Sequence, residues 1–191
     1  MNADHPVTAG IDEAGRGPLA GPVIAAAVIF YTQPPPSAVK DSKCLSDKAR
    51  RHLAEIIINT ADAWAIGSAS VTEIDTLNIH YATLLAMKRA IEKLSLVPQL
   101  CLIDGKFIPN IKMIAQAIVD GDANVPIISA ASILAKVHRD NVMIKLDNSY
   151  PDYCFAQHKG YATSLHLETL KKFGPCKHHR RSFQPVRDVL S

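Results

Sequence analysis

Val7-Thr8-Ala9-Gly10-Ile11-Asp12-Glu13-Ala14-Gly15-Arg16-Gly17-Pro18 carries the first ordered pattern in the chain, and a continuous apolar run, Gly21 to Phe30, follows it. Val7 to Glu13 reads as a short strand that stops at the Gly-Arg-Gly turn. The apolar run reads as a second strand pairing antiparallel with the first. Two adjacent carboxylates therefore stand at a strand end, with a glycine-flanked arginine directly after them. Carboxylates bind hard cations such as magnesium through oxygen. A Gly-Arg-Gly turn can offer backbone N–H groups and a guanidinium fork to phosphate. A cation site and an anion site within a few residues of each other suit a metal-assisted reaction on a phosphodiester.

Outward from this stretch, Thr32 to Ser37 contains Pro34-Pro35-Pro36 and reads as a loop. Ser46-Asp47 can cap a helix over about Lys48 to Asn59. Ala63 to Val71 reads as a third strand. Thr72 to Asp75 restarts a helix, and His80 to Leu94 continues it with Leu84, Met87, Ala90, Ile91 and Leu94 on one face. Leu100 to Asp104 and Ile114 to Val119 are short strands. The first ends on an acid and the second runs into Asp120-Gly121-Asp122. Ser129 to Leu146 reads as a long helix, and Ser164 to Phe173 as a shorter one. The first three strands follow hairpin logic, and later strands alternate with helices. This predicts an α/β fold with a mixed five-stranded sheet flanked by helices. Residues 1–146 are expected to form the core. Residues 147–191, more polar, aromatic and basic, form a helical C-terminal extension packed on it.

The 191 residues suffice for one core. A formal net charge of +3 permits a polyanionic partner without demanding one, whereas the block Lys177-His178-His179-Arg180-Arg181 concentrates positive charge near the C-terminus. No secretory signal pattern opens the chain. The longest apolar run, Val23 to Tyr31, falls well short of the roughly 20 residues a bilayer span needs. Cys44, Cys101, Cys154 and Cys176 are scattered and read as reduced thiols, so a cytoplasmic protein is expected. Cys154, His158, Cys176 and His178 or His179 could be written as a zinc set. Their irregular spacing and the lack of a Cys-x-x-Cys pair argue against one.

Asp12, Glu13, Asp104 and Asp122 all stand at element ends. In open α/β sheets ligands bind outside the carboxyl ends of parallel strands. Carboxylates gathered there raise one another's pKa unless cations neutralise them. Neighbouring strand residues point to opposite faces, so Asp12 and Glu13 share a site only if the strand ends, bulges or twists there. Spacing does not choose between Asp122 and Asp120. The glycine-rich turn is not a nucleotide-binding loop of the Walker type, because no Gly-Lys-Ser/Thr ends it.

Six ordered blocks resemble one family. Gly10 to Pro18 matches the opening motif of ribonuclease HII. Asp41-Ser42-Lys43, Leu102-Ile103-Asp104-Gly105, Gly121-Asp122, Ser129 to Lys136 and His158-Lys159-Gly160-Tyr161 resemble its later motifs, in the family's order and over nearly the whole chain. The resemblance implies a ribonuclease H-like fold with a helical C-terminal extension. It implies an endonuclease acting on the RNA strand of RNA–DNA hybrids and 5′ of single ribonucleotides in duplex DNA. Two metal ions, magnesium or manganese, would be held by Asp12, Glu13, Asp104 and Asp122. The products would carry 3′-hydroxyl and 5′-phosphate ends.

RNA is told from DNA by its 2′-hydroxyl. The backbone of Gly15-Arg16-Gly17 is suited to meet it, since glycine lets the chain approach closely. Tyr161 offers a flat face, and the resemblance gives it the sugar beside the junction. Lys43, Lys136 and Lys159 could hold phosphates. Cys44 replaces a residue that is often basic or polar in the family. The expected partners are RNA–DNA hybrids and ribonucleotide-containing duplex DNA, with a monomeric enzyme. Phe183 to Ser191 has no glutamine-led aromatic box to support docking on a sliding clamp.

Overall fold

The computed structural model describes residues 5–39 and 45–190; the predicted phosphate contact Lys43, with Asp41, Ser42 and Cys44, lies outside the described residues. In chain order the elements are β1 (Thr8–Ala14), β2 (Val23–Ile29), α1 (Asp47–Thr60), β3 (Ala63–Ala69), α2 (Val71–Glu92), β4 (Leu100–Asp104) and β5 (Ile114–Ile118). They continue with α3 (Gly121–Asn124), α4 (Pro126–Ser149), α5 (Phe155–His158), α6 (Ser164–Phe173) and α7 (Gln184–Leu190). The sheet order is β3-β2-β1-β4-β5. β1 pairs antiparallel with β2, β2 antiparallel with β3, and β1, β4 and β5 run parallel. This is the mixed five-stranded sheet that the alternation of strands and helices predicted.

β2 is buried at every residue because both sheet faces are covered. Ala25, Ala27 and Ile29 face α2 through Ala86, Met87 and Ala90. Ala26 and Val28 face α1 and α4 through Leu53, Ile57, Ala131 and Leu134. Burial on two faces explains the unbroken apolar run, where a half-exposed strand would alternate.

Helix ends follow local chemistry. Ser46 caps α1 by accepting from the Ala49 N–H at 3.2 Å. Ser70 and Glu73 exchange bonds in a capping box at the start of α2. The break between the two helical runs predicted there falls on Asn78, at φ 66° and ψ 166°. Such a backbone costs of order 1–3 kcal/mol for a non-glycine residue. Asn78 Oδ1 offsets part of this by accepting from the N–H groups of His80 and Tyr81. α4 begins three residues before the predicted Ser129, at Pro126. Proline suits the first helical turn, whose N–H has no helical partner anyway. It ends at Ser149, so the expected boundary after residue 146 falls inside its last turn.

Beyond α4 the chain returns to the carboxyl edge of the sheet. Ala20 bridges His179, the Leu19 N–H donates to the Gly160 carbonyl at 2.7 Å, and the Arg180 N–H donates to the Leu19 carbonyl at 2.8 Å. α3, α5 and α7 were not predicted. The first two have four residues each, too few to show a helical period, and α7 fully buries only Val186.

Candidate metal centre and substrate cleft

The parallel register of β1 and β4 sets Ile11 beside Ile103, both fully buried on the α2 side. One residue further along each strand, the alternation turns Asp12 and Asp104 to the opposite face, toward α4. β4 pairing stops at Ile11, while β1 continues in regular register with β2 to Ala14. Glu13 thus stands at a corner that β4 has already left. The strand does not bulge; it outruns its neighbour. Carboxylate oxygens of Asp12, Glu13 and Asp104 come within 4.8 Å of one another. Asp122 is one turn away in α3. Its N–H donates to Asp104 Oδ1 at 3.1 Å, and its carbonyl accepts from Ser129 Oγ at 2.6 Å. Gly121 permits this approach, since a Cβ there would meet Ile128 Cδ1 at 2.7 Å and Asp104 Oδ1 at 3.2 Å. Asp120, the alternative fourth acid, is exposed at φ 54° ahead of α3.

Electrostatics mark the cluster as short of positive charge. Burial, and then the neighbouring Glu13, push the Asp12 carboxyl well above the usual carboxylate range. Glu13 is also raised, chiefly by burial, against the opposing pull of Arg16 at 3.2 Å. Asp104 is raised by burial, and the Asp122 and Asp120 carboxylates push in the same direction. Among the described residues, Glu13 Oε2 is the one buried side-chain oxygen or nitrogen with no hydrogen-bond partner. Three mutually repelling carboxylates and an orphaned oxygen are the donor set a hard divalent cation satisfies. The residues present fit such an ion. Ser132, from α4, lies beside Asp12 and opposes part of the upward shift of its carboxyl.

A cleft of about 370 Å³ opens beside the acids, lined by Glu13, the Gly15-Arg16-Gly17 turn, Arg50, Ser132, Lys136 and Tyr161. Gly15 sits at φ 96°, and a Cβ there would fall 2.0 Å from Arg139 Nε. The turn is held from beneath by two buried guanidinium groups. Arg180 donates to the carbonyls of Gly15 at 2.5 Å, Arg16 at 2.8 Å and Gly21 at 3.0 Å. Arg139 donates to those of Ala20, Pro22 and Lys159. In a trans peptide the N–H points opposite to the C=O. Tying the Gly15 and Arg16 carbonyls inward therefore turns the N–H groups of Arg16 and Gly17 outward. A guanidinium on the carbonyl side also polarises each peptide and makes its N–H a better donor.

The predicted substrate residues divide. Gly15, Arg16, Gly17, Lys136 and Tyr161 meet at the cleft. Lys136 is held by Asp140 at 2.6 Å, and Tyr161 is 43% exposed. Lys159 is not among the cleft-lining residues; its ammonium donates to the Ala156 carbonyl and its own carbonyl is taken by Arg139. Ser132, Arg50, Arg139 and Arg180 were not singled out from sequence. Ser132 lay inside a quoted motif, and Arg180 inside a basic block read as surface charge. In the fold Arg180 is fully buried.

A mixed sheet of this order, with acids at the carboxyl ends of its central strands, defines a protein of the ribonuclease H-like fold. The solved structure of ribonuclease H2 from Pyrococcus horikoshii OT3 superposes with a TM-score of 0.78 at 26% identity, over 95% of this chain and 96% of that one. Bst-RNase HIII, solved in complex with Mn2+, gives a TM-score of 0.80 at 18% identity, over 97% of this chain and 69% of the other. The family described as ribonuclease HII matches residues 9–186. The ribonuclease HII of Burkholderia ambifaria is 55% identical over 184 residues, 96% of this chain and 85% of the relative. The chain belongs to the ribonuclease HII family. It is a ribonuclease H, an enzyme that hydrolyses the RNA strand of RNA–DNA hybrids.

Proposed function

We propose that this enzyme also cuts on the 5′ side of single ribonucleotides embedded in duplex DNA, leaving 3′-hydroxyl and 5′-phosphate ends. Asp12, Glu13, Asp104 and Asp122 hold magnesium or manganese, two ions during catalysis. The bound cations supply Lewis acidity toward the scissile phosphate and the attacking water. Ser132 keeps the Asp12 carboxylate aimed, and Arg16 screens Glu13 until a cation arrives. The N–H groups of Arg16 and Gly17 meet the 2′-hydroxyl, which a deoxyribose lacks. Tyr161 lies against the adjoining sugar. Lys136 and Arg50 hold phosphates and set the register of the duplex without reading its sequence. Lys43 adds a phosphate contact from the segment outside the described residues, and Lys159 serves the same duplex from beyond the cleft. The enzyme works as a cytoplasmic monomer, its 147–191 extension acting with the 1–146 core.

The observation that carries this reading is a juxtaposition. Three carboxylates within 4.8 Å, one with an orphaned buried oxygen, adjoin a turn whose carbonyls are tied inward. The test is a labelled DNA duplex with one ribonucleotide, incubated with magnesium, manganese or a chelator beside an all-DNA control. Metal-dependent cutting 5′ of the ribonucleotide, with the control intact, is expected. Cutting of a long RNA–DNA hybrid but not of this duplex would remove the single-ribonucleotide reading.

A further inference from the structure

We infer that His158, His166 and His179 are positioning residues that set Tyr161 in the cleft through a hydrogen-bond chain of fixed direction. The inference rests on the reading of Tyr161 as the sugar-facing platform.

Lys159-Gly160-Tyr161 leaves α5 through two residues at positive φ, 53° and 84°, and belongs to no helix or strand. On one side the segment is tied to the Gly-Arg-Gly region: the Leu19 N–H reaches the Gly160 carbonyl, and Arg139 reaches that of Lys159. On the other side it is tied to imidazoles. The Gly160 N–H donates to His158 Nδ1 at 3.1 Å, so the proton of that ring lies on Nε2, which donates to the Tyr153 carbonyl at 2.7 Å. The Tyr161 carbonyl stands 2.9 Å from His166 Nδ1 and must accept from it. His166 Nε2 is then bare, and it accepts from His179 Nε2 at 3.0 Å. His179 Nδ1 is bare in turn, and it accepts from the Cys176 N–H at 3.1 Å.

A neutral imidazole has one donor and one acceptor nitrogen. Here each of the six ring nitrogens has a partner of the required kind. Reversing any ring would set two N–H groups, or two lone pairs, against each other. The direction is therefore fixed: Cys176 N–H to His179, His179 to His166, His166 to the Tyr161 carbonyl. His158 stacks on His166 with centroids 4.2 Å apart and planes 13° apart, joining the two branches. The rings are 8%, 0% and 1% exposed, so water does not replace a broken link. Charged or titratable groups beside the chain include Asp147 and Lys159 near His158, His178 near His179, Tyr153, whose ring lies 5.0 Å from that of His179, and Cys176, whose N–H meets His179.

Paired substitutions test this. In His166→Asn the amide nitrogen falls near the former Nδ1 and can still donate to the Tyr161 carbonyl. In His166→Gln the amide falls near the former Nε2, where its oxygen can accept from His179 and nothing donates to the Tyr161 carbonyl. Both lose the same ring, and packing alone predicts that the smaller Asn, which leaves the larger void, does no better than Gln. Positioning predicts that His166→Gln lowers kcat/KM on the single-ribonucleotide duplex by about tenfold, and that His166→Asn recovers most of the loss at a matched melting temperature. Adding His166→Gln to Tyr161→Ala should cost nothing beyond Tyr161→Ala alone. Nitrogen-15 spectra of the rings should show the proton of His166 on Nδ1 and that of His179 on Nε2. Equal losses for the Asn and Gln variants, additive effects in the double variant, or reversed tautomers would each overturn the inference while leaving a harmful Tyr161→Ala to support the platform. A silent Tyr161→Ala would instead overturn the platform reading, and the positioning role with it.

Discussion

Asp12→Asn should make the protein more stable without metal and abolish its cleavage. Asp12 is 5% exposed, and its carboxylate lies with those of Glu13 and Asp104 inside a 4.8 Å cluster. At an effective dielectric of ~20, two unit charges at that separation repel by about 3 kcal/mol. Burial, and then Glu13, raise the Asp12 carboxyl well above its usual range. For a carboxyl raised on folding, the folded state binds more protons than the unfolded state above the ordinary carboxylate pKa. Stability is therefore lost as pH rises through that window, and a penalty remains at neutral pH. Asparagine removes the charge but keeps Oδ1. The 2.6 Å bond from the Glu13 N–H can survive, and so can the Ser132 contact. A net gain of about 1–2 kcal/mol follows, or several degrees in melting temperature for a chain of this size. Thermal melts in chelator and in magnesium measure it. Magnesium should raise the wild-type melting temperature and move that of the variant far less. Cleavage of the single-ribonucleotide duplex should fall to background in the variant. A lower melting temperature than wild type in chelator would refute the repulsion argument. Full cleavage would refute the assignment of Asp12.

Two further outcomes come from the same geometry. His166 and His179 are pushed down to about 4 by burial, with neighbouring histidines adding to the shift. The unfolded chain binds their protons first, so stability falls as pH drops from the ordinary histidine value toward 4. The loss is about 2 kcal/mol per ring between about pH 7 and pH 5, and urea melts of wild type and His179→Gln should differ in this pH dependence. Gly15→Ala would place a left-handed β-carbon 2.0 Å from Arg139 Nε. It should cost about 1–3 kcal/mol by denaturant melts and most of the cleavage, since the guanidinium must leave the carbonyls it holds.

What could be read along the chain and what could not divide by sequence distance. The strand ending in Asp12-Glu13, the buried run of β2 and the caps at Ser46 and Ser70 express local rules: period, turn chemistry and capping. The acids were legible because they stand near element ends, Asp12 and Glu13 late in β1, Asp104 at the close of β4 and Asp122 at the start of α3, and parallel pairing at Ile11 and Ile103 then brings the two strand ends together. The floor of the site was not legible. Arg180 is 164 residues from Arg16, and Arg139 is 119 residues from Ala20, yet each meets backbone carbonyls. A backbone carbonyl has no residue identity, so no motif at residues 15–22 announces that an arginine must arrive. In the string Lys177-His178-His179-Arg180-Arg181 charge was the visible property, and exposure was the natural reading. The fold separates its members. His179 and Arg180 are 1% and 0% exposed, whereas Arg181 stays at the surface, its N–H meeting Asp75. The fold tolerates the buried guanidinium of Arg180 because each of its three nitrogens donates to a backbone carbonyl, where an unpaired buried charge would be strongly destabilising. Those bonds in turn orient the peptides whose N–H groups face the cleft. The tail that reads as a basic appendage is therefore part of the machinery that shapes the turn: deleting it would remove the partner of the Gly15 and Arg16 carbonyls while leaving all four acids in place.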